Sequence, residues 1–294
     1  MSAPAGFVAN LALLWPARHR ALISQLAARD LAERYRGQWL GWAWLVLAPL
    51  LMVAVYTLVL RHAMGVRWGG SGPAAEAVAG WAGDVDFAVR LMCALLPFNW
   101  LAECVARGPR LVMDVPHLVK KVVFPLEVLP WVVAMAALLP LCAGLAVTLV
   151  AQATATGALP VTALWLPVVW LPLLPLGLGL MWALAAVGTY ARDVAQLVAP
   201  ALGALLFLSP VFYDLGSLPP GLRDALGWSP LAAVMEQTRR VVVLGQAPEP
   251  LALGGALLLG LALAWGGATL FQRVRVGFAD VVRTNPFRCG RAGH

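Results

Sequence analysis

The chain has 294 residues, 61% of them hydrophobic and only 12% charged, with a mean hydropathy of +0.81. A soluble all-helical protein of this length needs polar outer helices, and the sequence holds few candidates for them, so a soluble globular domain is excluded. The net charge of +7 is the bias of a short-looped membrane protein toward one face, and nothing about it calls for a nucleic-acid partner.

Taken in chain order, the first 36 residues have no basic region ahead of the apolar stretch 7–15, so they do not form a cleavable signal sequence. From Arg18 to Arg29 the pattern is amphipathic. Leu22, Ile23, Leu26 and Ala27 share one helical arc, while Arg18, Arg20, Ser24, Gln25 and Arg29 lie opposite. This predicts an interfacial helix with its arginines among anionic head groups, or else a basic anchor before the first span.

A hydrocarbon core demands about 20 apolar residues at about 1.5 Å rise each. Runs of that kind fall at about 39–60, 88–106, 127–152, 163–188, 196–213 and 250–271. The first carries Pro49 in its middle. The fourth is interrupted by Pro167, Pro172 and Pro175, which predicts a kinked helix packed among neighbours that re-satisfy the freed carbonyls. The fifth is short and closes at Ser209-Pro210.

Between the last two spans, Leu222–Leu226 is too short to cross a bilayer. Leu231–Leu244 is an apolar helix with Glu236 and Arg240 at i,i+4 on one face. Arg239 and Arg240 would each cost about 2.5–3.5 kcal/mol in hydrocarbon, so both are expected to face water, head groups or Glu236. A plain surface loop is the simpler alternative.

With the N-terminus inside, 15 of the 21 Arg and Lys fall on the cytoplasmic side, which predicts that both termini are cytoplasmic. The expected architecture is therefore an all-α integral membrane protein of about six transmembrane helices. Its parts are a cytoplasmic or interfacial segment 1–36, a transmembrane domain 37–272 and a cytoplasmic tail 273–294.

Catalytic signatures are missing from the sequence. No G-x-x-x-x-G-K-[ST] occurs, and the only lysines, Lys120 and Lys121, lead into valine. A nucleotide loop needs its lysine on a Gly-rich turn, so the chain has no such site. No G-x-S-x-G or H-E-x-x-H is present, and the four cysteines and four histidines lack metal-ligand spacing. Intramembrane carboxylates, the mark of ion coupling, are nearly absent, since Glu103 and Glu127 fall at cytoplasmic span ends. Energy is expected from outside this chain.

Four segments then carry a resemblance. Arg34-Tyr35-Arg36-Gly37-Gln38-Trp39-Leu40-Gly41, leading to Trp44 and Ala48-Pro49-Leu50, resembles the approach to the first span of ABC-type polysaccharide export permeases, which often have Ser in place of Gln38. The run 118–130, Leu-Val-Lys-Lys-Val-Val-Phe-Pro-Leu-Glu-Val-Leu-Pro, is similar to that family's cytoplasmic loop and the start of its third span. Arg192-Asp193 with Leu208-Ser209-Pro210-Val211-Phe212-Tyr213 resembles its fourth-to-fifth turn and the end of its fifth span. Ser229-Pro230-Leu231 is close to its Asn-Pro-Leu.

The resemblance implies a half-transporter: two copies of the permease, a homodimer, with two copies of a separate ATP-binding subunit that holds ATP and magnesium. It implies export of a lipid-linked, O-antigen-like surface polysaccharide, with segment 214–249 as a re-entrant pair of short helices on the outer side. A permease for a drug or small lipid is the alternative, and a membrane scaffold or polymerase subunit is a third.

The candidate residues follow from these expectations. Arg29, Arg34 and Arg36, with Tyr35, Trp39 and Trp42, stand where a lipid carrier's diphosphate would approach, because arginine binds phosphate with two parallel donors. Setting membrane topology is the simpler role for the same arginines. Trp100, Trp170, Trp182 and Tyr213 are candidate channel aromatics, since a sugar's C–H face packs on a flat ring with a hydrogen-bonding edge. Arg110, Asp114, Lys120 and Lys121 lie in the longest cytoplasmic loop and are candidates for coupling to the ATP-binding subunit. Glu236, Arg239 and Arg240 belong to the outer segment. Gly177, Gly179, Gly254, Gly255 and Gly260 offer close helix packing.

Overall fold

The computed structural model describes residues 19–36, 39–65, 80–114, 125–191 and 193–277. Among these residues every regular element is helical. Helix α1 (Arg20–Tyr35) buries Ile23 and Ala27. The two are one helical turn apart, so they form a single stripe that packs against Val128, Val132 and Ala136, flanked by Leu22 and Leu26. The apolar arc thus lies on the protein itself.

Among the described residues, five segments are long and apolar enough to cross a membrane. The first, Gly41–Ala63, is helix α2 (Trp44–Tyr56) ending in a π-helical stretch, Thr57–Ala63. Helix α3 (Trp81–Arg107) is the second and continues through a tight turn, Gly108–Arg110. The third, Leu126–Thr156, divides into α4 (Leu129–Ala136) and α5 (Leu138–Thr156). The break follows from Pro140, which has no N–H to give the Ala136 carbonyl. The fourth, Val161–Tyr190, holds α6 (Leu166–Val169) and α7 (Leu173–Tyr190). It bends at Trp170–Pro172, among the three prolines.

Helix α8 (Val194–Leu208) has 15 residues, about 22 Å of rise, which is short of a roughly 30 Å hydrocarbon core. It stops at Ser209, whose ψ of 149° is the extended backbone that a following proline favours. Two short helices follow, α9 (Pro220–Gly227) and α10 (Pro230–Val242), and then the last apolar span, α11 (Pro250–Val274).

The second span begins at Trp81, where the hydrophobic pattern had placed its start near 88. The added turns are polar but internally paired. Arg61 Nε lies 2.7 Å from Asp84 Oδ1, and Arg90 Nε lies 2.8 Å from Asp86 Oδ2. Charges that satisfy one another stay in a helix where a hydropathy window ends it. Of the stretch 61–87 between the first two apolar runs, residues 61–63 and 81–87 are helical.

Helix α3 is the centre of the bundle. Leu91, Cys93 and Ala94 are fully buried in it, and Trp100 is nearly so. The closest approach between helices is between α7 and α11. A methyl group on Gly179 would lie 2.5 Å from the Ala264 backbone nitrogen, and Gly267 faces the Gly179 carbonyl. Close packing at Gly179 is therefore made within one chain. Gly177 is pressed against the Trp100 ring, and Gly260 faces the Pro172 carbonyl, whereas Gly254 and Gly255 look onto open space.

Candidate functional site

Two polar constellations stand out, one at each end of the bundle. The first joins α1 to the end of α3. Arg107 Nη1 donates to Asp30 Oδ2 at 2.8 Å, and its other terminal nitrogen meets Asp30 Oδ1, a two-pronged pair. Arg34 pairs with Glu103 and lies 3.7 Å from Asp30. These side chains are only a quarter to a third exposed, so each pair is stronger than a surface ion pair. The bond from Arg107 holds the Asp30 carboxyl below the usual carboxylate range, against the opposing effect of its burial.

Beside this network runs a groove of about 290 Å³, lined by Leu26, Arg29, Asp30, Glu33, Arg107 and Asp114 among others. Arg110 and Asp114 are both exposed there, and the Asp114 N–H donates to the Arg110 carbonyl at 2.9 Å, closing a helical turn. Lys120 and Lys121 lie outside the described residues. The turn before them is rigidly seated, since a methyl group on Gly188 would lie 2.5 Å from the Pro109 carbonyl oxygen. On the same end, Arg275 pairs with Glu127, tying α11 to the start of the third span.

Of the candidates for a lipid carrier, Arg29 pairs with Glu33 at 2.9 Å on an exposed surface, and Arg34 is engaged by Glu103. Arg36 is exposed. Tyr35 stacks on Trp42 with ring centroids 5.3 Å apart, so the end of α1 and the start of the first span form one aromatic step. Trp39 stands fully exposed beside it.

The candidate channel aromatics divide. Trp100 and Trp182 are buried inside the chain, Trp182 completely, while Trp100 also borders a cavity of about 280 Å³ that Trp170 lines. Trp100 Nε1 donates to the Ala134 carbonyl at 3.2 Å. The Trp100 ring fills the space that Gly177 leaves open. Trp170 is half-buried and donates to Thr238 Oγ1 at 3.1 Å. The Tyr213 hydroxyl donates to the Leu208 carbonyl at 2.8 Å and closes the turn after α8.

At the far end, α10 is packed into the bundle against α3. Arg239, expected to face water, head groups or Glu236, is only 5% exposed. It donates to the Val211 carbonyl at 2.9 Å and the Arg90 carbonyl at 3.2 Å, with Glu236 at 3.7 Å. The Val211 carbonyl beyond the end of α8 and the second lone pair of the Arg90 carbonyl in α3 supply the acceptors that make such burial tolerable. The expected Glu236–Arg240 pair is not the one formed. Arg240 reaches instead to Glu249 at 2.5 Å and to the Ala247 carbonyl at 3.0 Å.

Sequence reasoning missed Asp30, Glu103 and Arg107 as one cluster. The only signal was Asp30 lying one turn before Arg34 on α1. Among the described residues no group of His, Cys, Asp or Glu has the arrangement to hold a metal ion.

Residues 21–243 match the family model described as ABC-2 type transporter. The chain belongs to the ABC-2 type transporter family. As an ABC-2 membrane subunit it is a multi-pass transport component that associates with an ATP-binding subunit. Among its relatives is the O-antigen export system permease protein RfbA of Myxococcus xanthus, 28% identical over 268 residues that cover 90% of this chain and 96% of the relative. A protein of the same name from Klebsiella pneumoniae is 23% identical over 268 residues, covering 89% of this chain and 95% of the relative. A second from Klebsiella pneumoniae is 21% identical over 264 residues, with 89% and 95% coverage.

Proposed function

We propose that this chain is the membrane-spanning subunit of a bacterial ABC exporter that moves a lipid-linked, O-antigen-like polysaccharide across the cytoplasmic membrane. Two copies work with two ATP-binding subunits, and both termini face the cytoplasm. The observation that carries the reading is the near-full-length similarity to relatives named as O-antigen export permeases.

Physical features support it. The first span leaves most of its apolar side chains uncovered, Leu51, Val55 and Leu58 among them, and α8 buries only Val198. Those surfaces are suited to lipid and to a second copy. The end that holds the Asp30–Arg107 network is the one with the arginine excess, so it is assigned to the cytoplasm, and α9 and α10 to the outside.

A strain lacking the chain tests the substrate. Lipid-linked glycan should accumulate inside while surface glycan disappears and drug susceptibility stays as before. Unchanged surface glycan with new drug sensitivity would favour the drug or small-lipid permease instead.

A further inference from the structure

The outer end holds a cavity of about 520 Å³ between α9, α10 and the turn after α8, within the roughly 300–1,000 Å³ range of small-molecule sites. We propose that this cavity is a saccharide-binding subsite that takes a non-acidic sugar residue of the glycan as it leaves the exporter. The proposal rests on the polysaccharide reading above and names a place on this chain where the glycan is held.

The lining has the chemistry of hydroxyl recognition. Trp228 stands at it with 77% of its surface exposed, an indole face for the C–H side of a pyranose. Gln237 is buried, and its carbonyl oxygen already accepts the Glu249 N–H at 2.8 Å, which leaves its amide nitrogen as a donor. Glu236 lines the cavity with its side chain 36% exposed, and its shielded Oε2 lies 3.7 Å from Arg239 Nη1. A carboxylate at the wall accepts from a sugar hydroxyl.

Charge narrows the ligand. The wall carries four carboxylates, Asp214, Asp224, Glu236 and Glu249, against two guanidinium groups, Arg223 and Arg240. Arg240 and Glu249 neutralise one another, and Arg239 behind the wall pairs with Glu236, which leaves Asp214 and Asp224 against Arg223. The excess of negative charge repels a uronic acid and accepts neutral or amino-substituted sugars. An exposed tryptophan at a membrane interface also fits an anchor among head groups, and the experiment separates the two roles.

In a host that displays the glycan, the photo-crosslinker p-benzoylphenylalanine replaces Trp228, and in a second variant Leu244, which also lies on the cavity wall. Irradiation during export should give a glycan-bearing adduct of the full chain at both positions. The adduct should fall several-fold when Asp224→Asn and Glu236→Gln are added. Trp228→Ala should slow the appearance of surface glycan several-fold at equal protein level, with Trp228→Phe restoring much of the rate. The subsite is overturned if surface glycan forms normally while neither position gives an adduct, if the adduct is with phospholipid alone, or if Trp228→Ala exports at the normal rate. A deletion strain that still displays the glycan would instead sink the polysaccharide reading itself.

Discussion

Arg107 at the end of the second span grips Asp30 of the N-terminal helix with both terminal nitrogens, one of them at 2.8 Å. The two residues are 77 apart in sequence, and their bond makes α1 a lever fixed to the bundle at a charged joint. Together with the buried pair Ile23 and Ala27 and the Arg34–Glu103 pair, it attaches the helix by one apolar face and two ionic contacts.

That joint should be sensitive to acid. The folded Asp30 carboxyl titrates below its ordinary value because Arg107 bonds its charged form. Its contribution is present above an unfolded pKa of about 3.9 and is lost as pH falls through the lower folded value. The hydrogen-exchange protection of the α1 amides in nanodiscs, taken relative to the intrinsic exchange rate at each pH, should be high at neutral pH and fall below about pH 4. Asp30→Asn should give faster exchange already at pH 7, by an amount matching about 1 kcal/mol after allowance for partial exposure. Protection that does not depend on pH in the wild type would show that the apolar stripe alone holds the helix.

Arg239 should be the most costly side chain to remove on the outer side. Arg239→Ala removes the side-chain donor from the Val211 carbonyl and the additional donor from the Arg90 carbonyl, and an uncompensated buried polar group costs about 1–3 kcal/mol. The variant should show a clearly lower thermal midpoint in detergent, with Arg239→Lys intermediate because one ammonium cannot span the same acceptors. Arg240→Ala, which breaks a partly exposed pair with Glu249, should shift the midpoint little.

Helix crossing gives a sharper stability test. Gly179→Ala inserts a methyl group into the backbone of α11 at Ala264, and overpacking of this kind costs about 1–3 kcal/mol. Gly254→Ala, on the same helix α11 but facing open space, should be neutral or slightly stabilising in thermal unfolding of the purified chain. Equal midpoints for the two variants would contradict the close contact between α7 and α11.

Much of the architecture was legible because apolar runs of bilayer length have few other uses. The arc of Ile23 and Ala27 was legible too, although its partner proved to be the third span. What escaped were relationships across long sequence separations. Nothing local marks Arg34 for Glu103, and the i,i+4 rule that suggested Glu236 with Arg240 knows nothing of Glu249 arriving beyond the end of α10. Arg239 was expected at water, head groups or Glu236 because its charge was weighed against hydrocarbon; it does lie 3.7 Å from Glu236, but the fold buries it and adds backbone carbonyls as acceptors. Trp100 and Trp182 were expected at a passage from residue type alone. Packing opposite small residues, as Trp100 does at Gly177, puts them in the core.

Force from the ATP-binding partner should arrive at the turn that holds Arg110 and Asp114, both exposed and set on a segment seated tightly against α7 through Gly188. Arg110→Ala with Asp114→Ala should leave membrane insertion and assembly intact while lowering stimulated ATP hydrolysis and export together. Normal hydrolysis and export in the double variant would move the coupling contact elsewhere, most directly to α1.

The central claim is that this chain carries glycan across a bilayer when a partner hydrolyses ATP, and reconstitution tests it most directly. The full chain and its ATP-binding subunit are placed in liposomes with lipid-linked glycan on the side where ATP is added. The account predicts that glycan becomes accessible on the opposite face only when ATP is present and hydrolysable. ATP hydrolysis at a normal rate with the glycan remaining on its original face would contradict it.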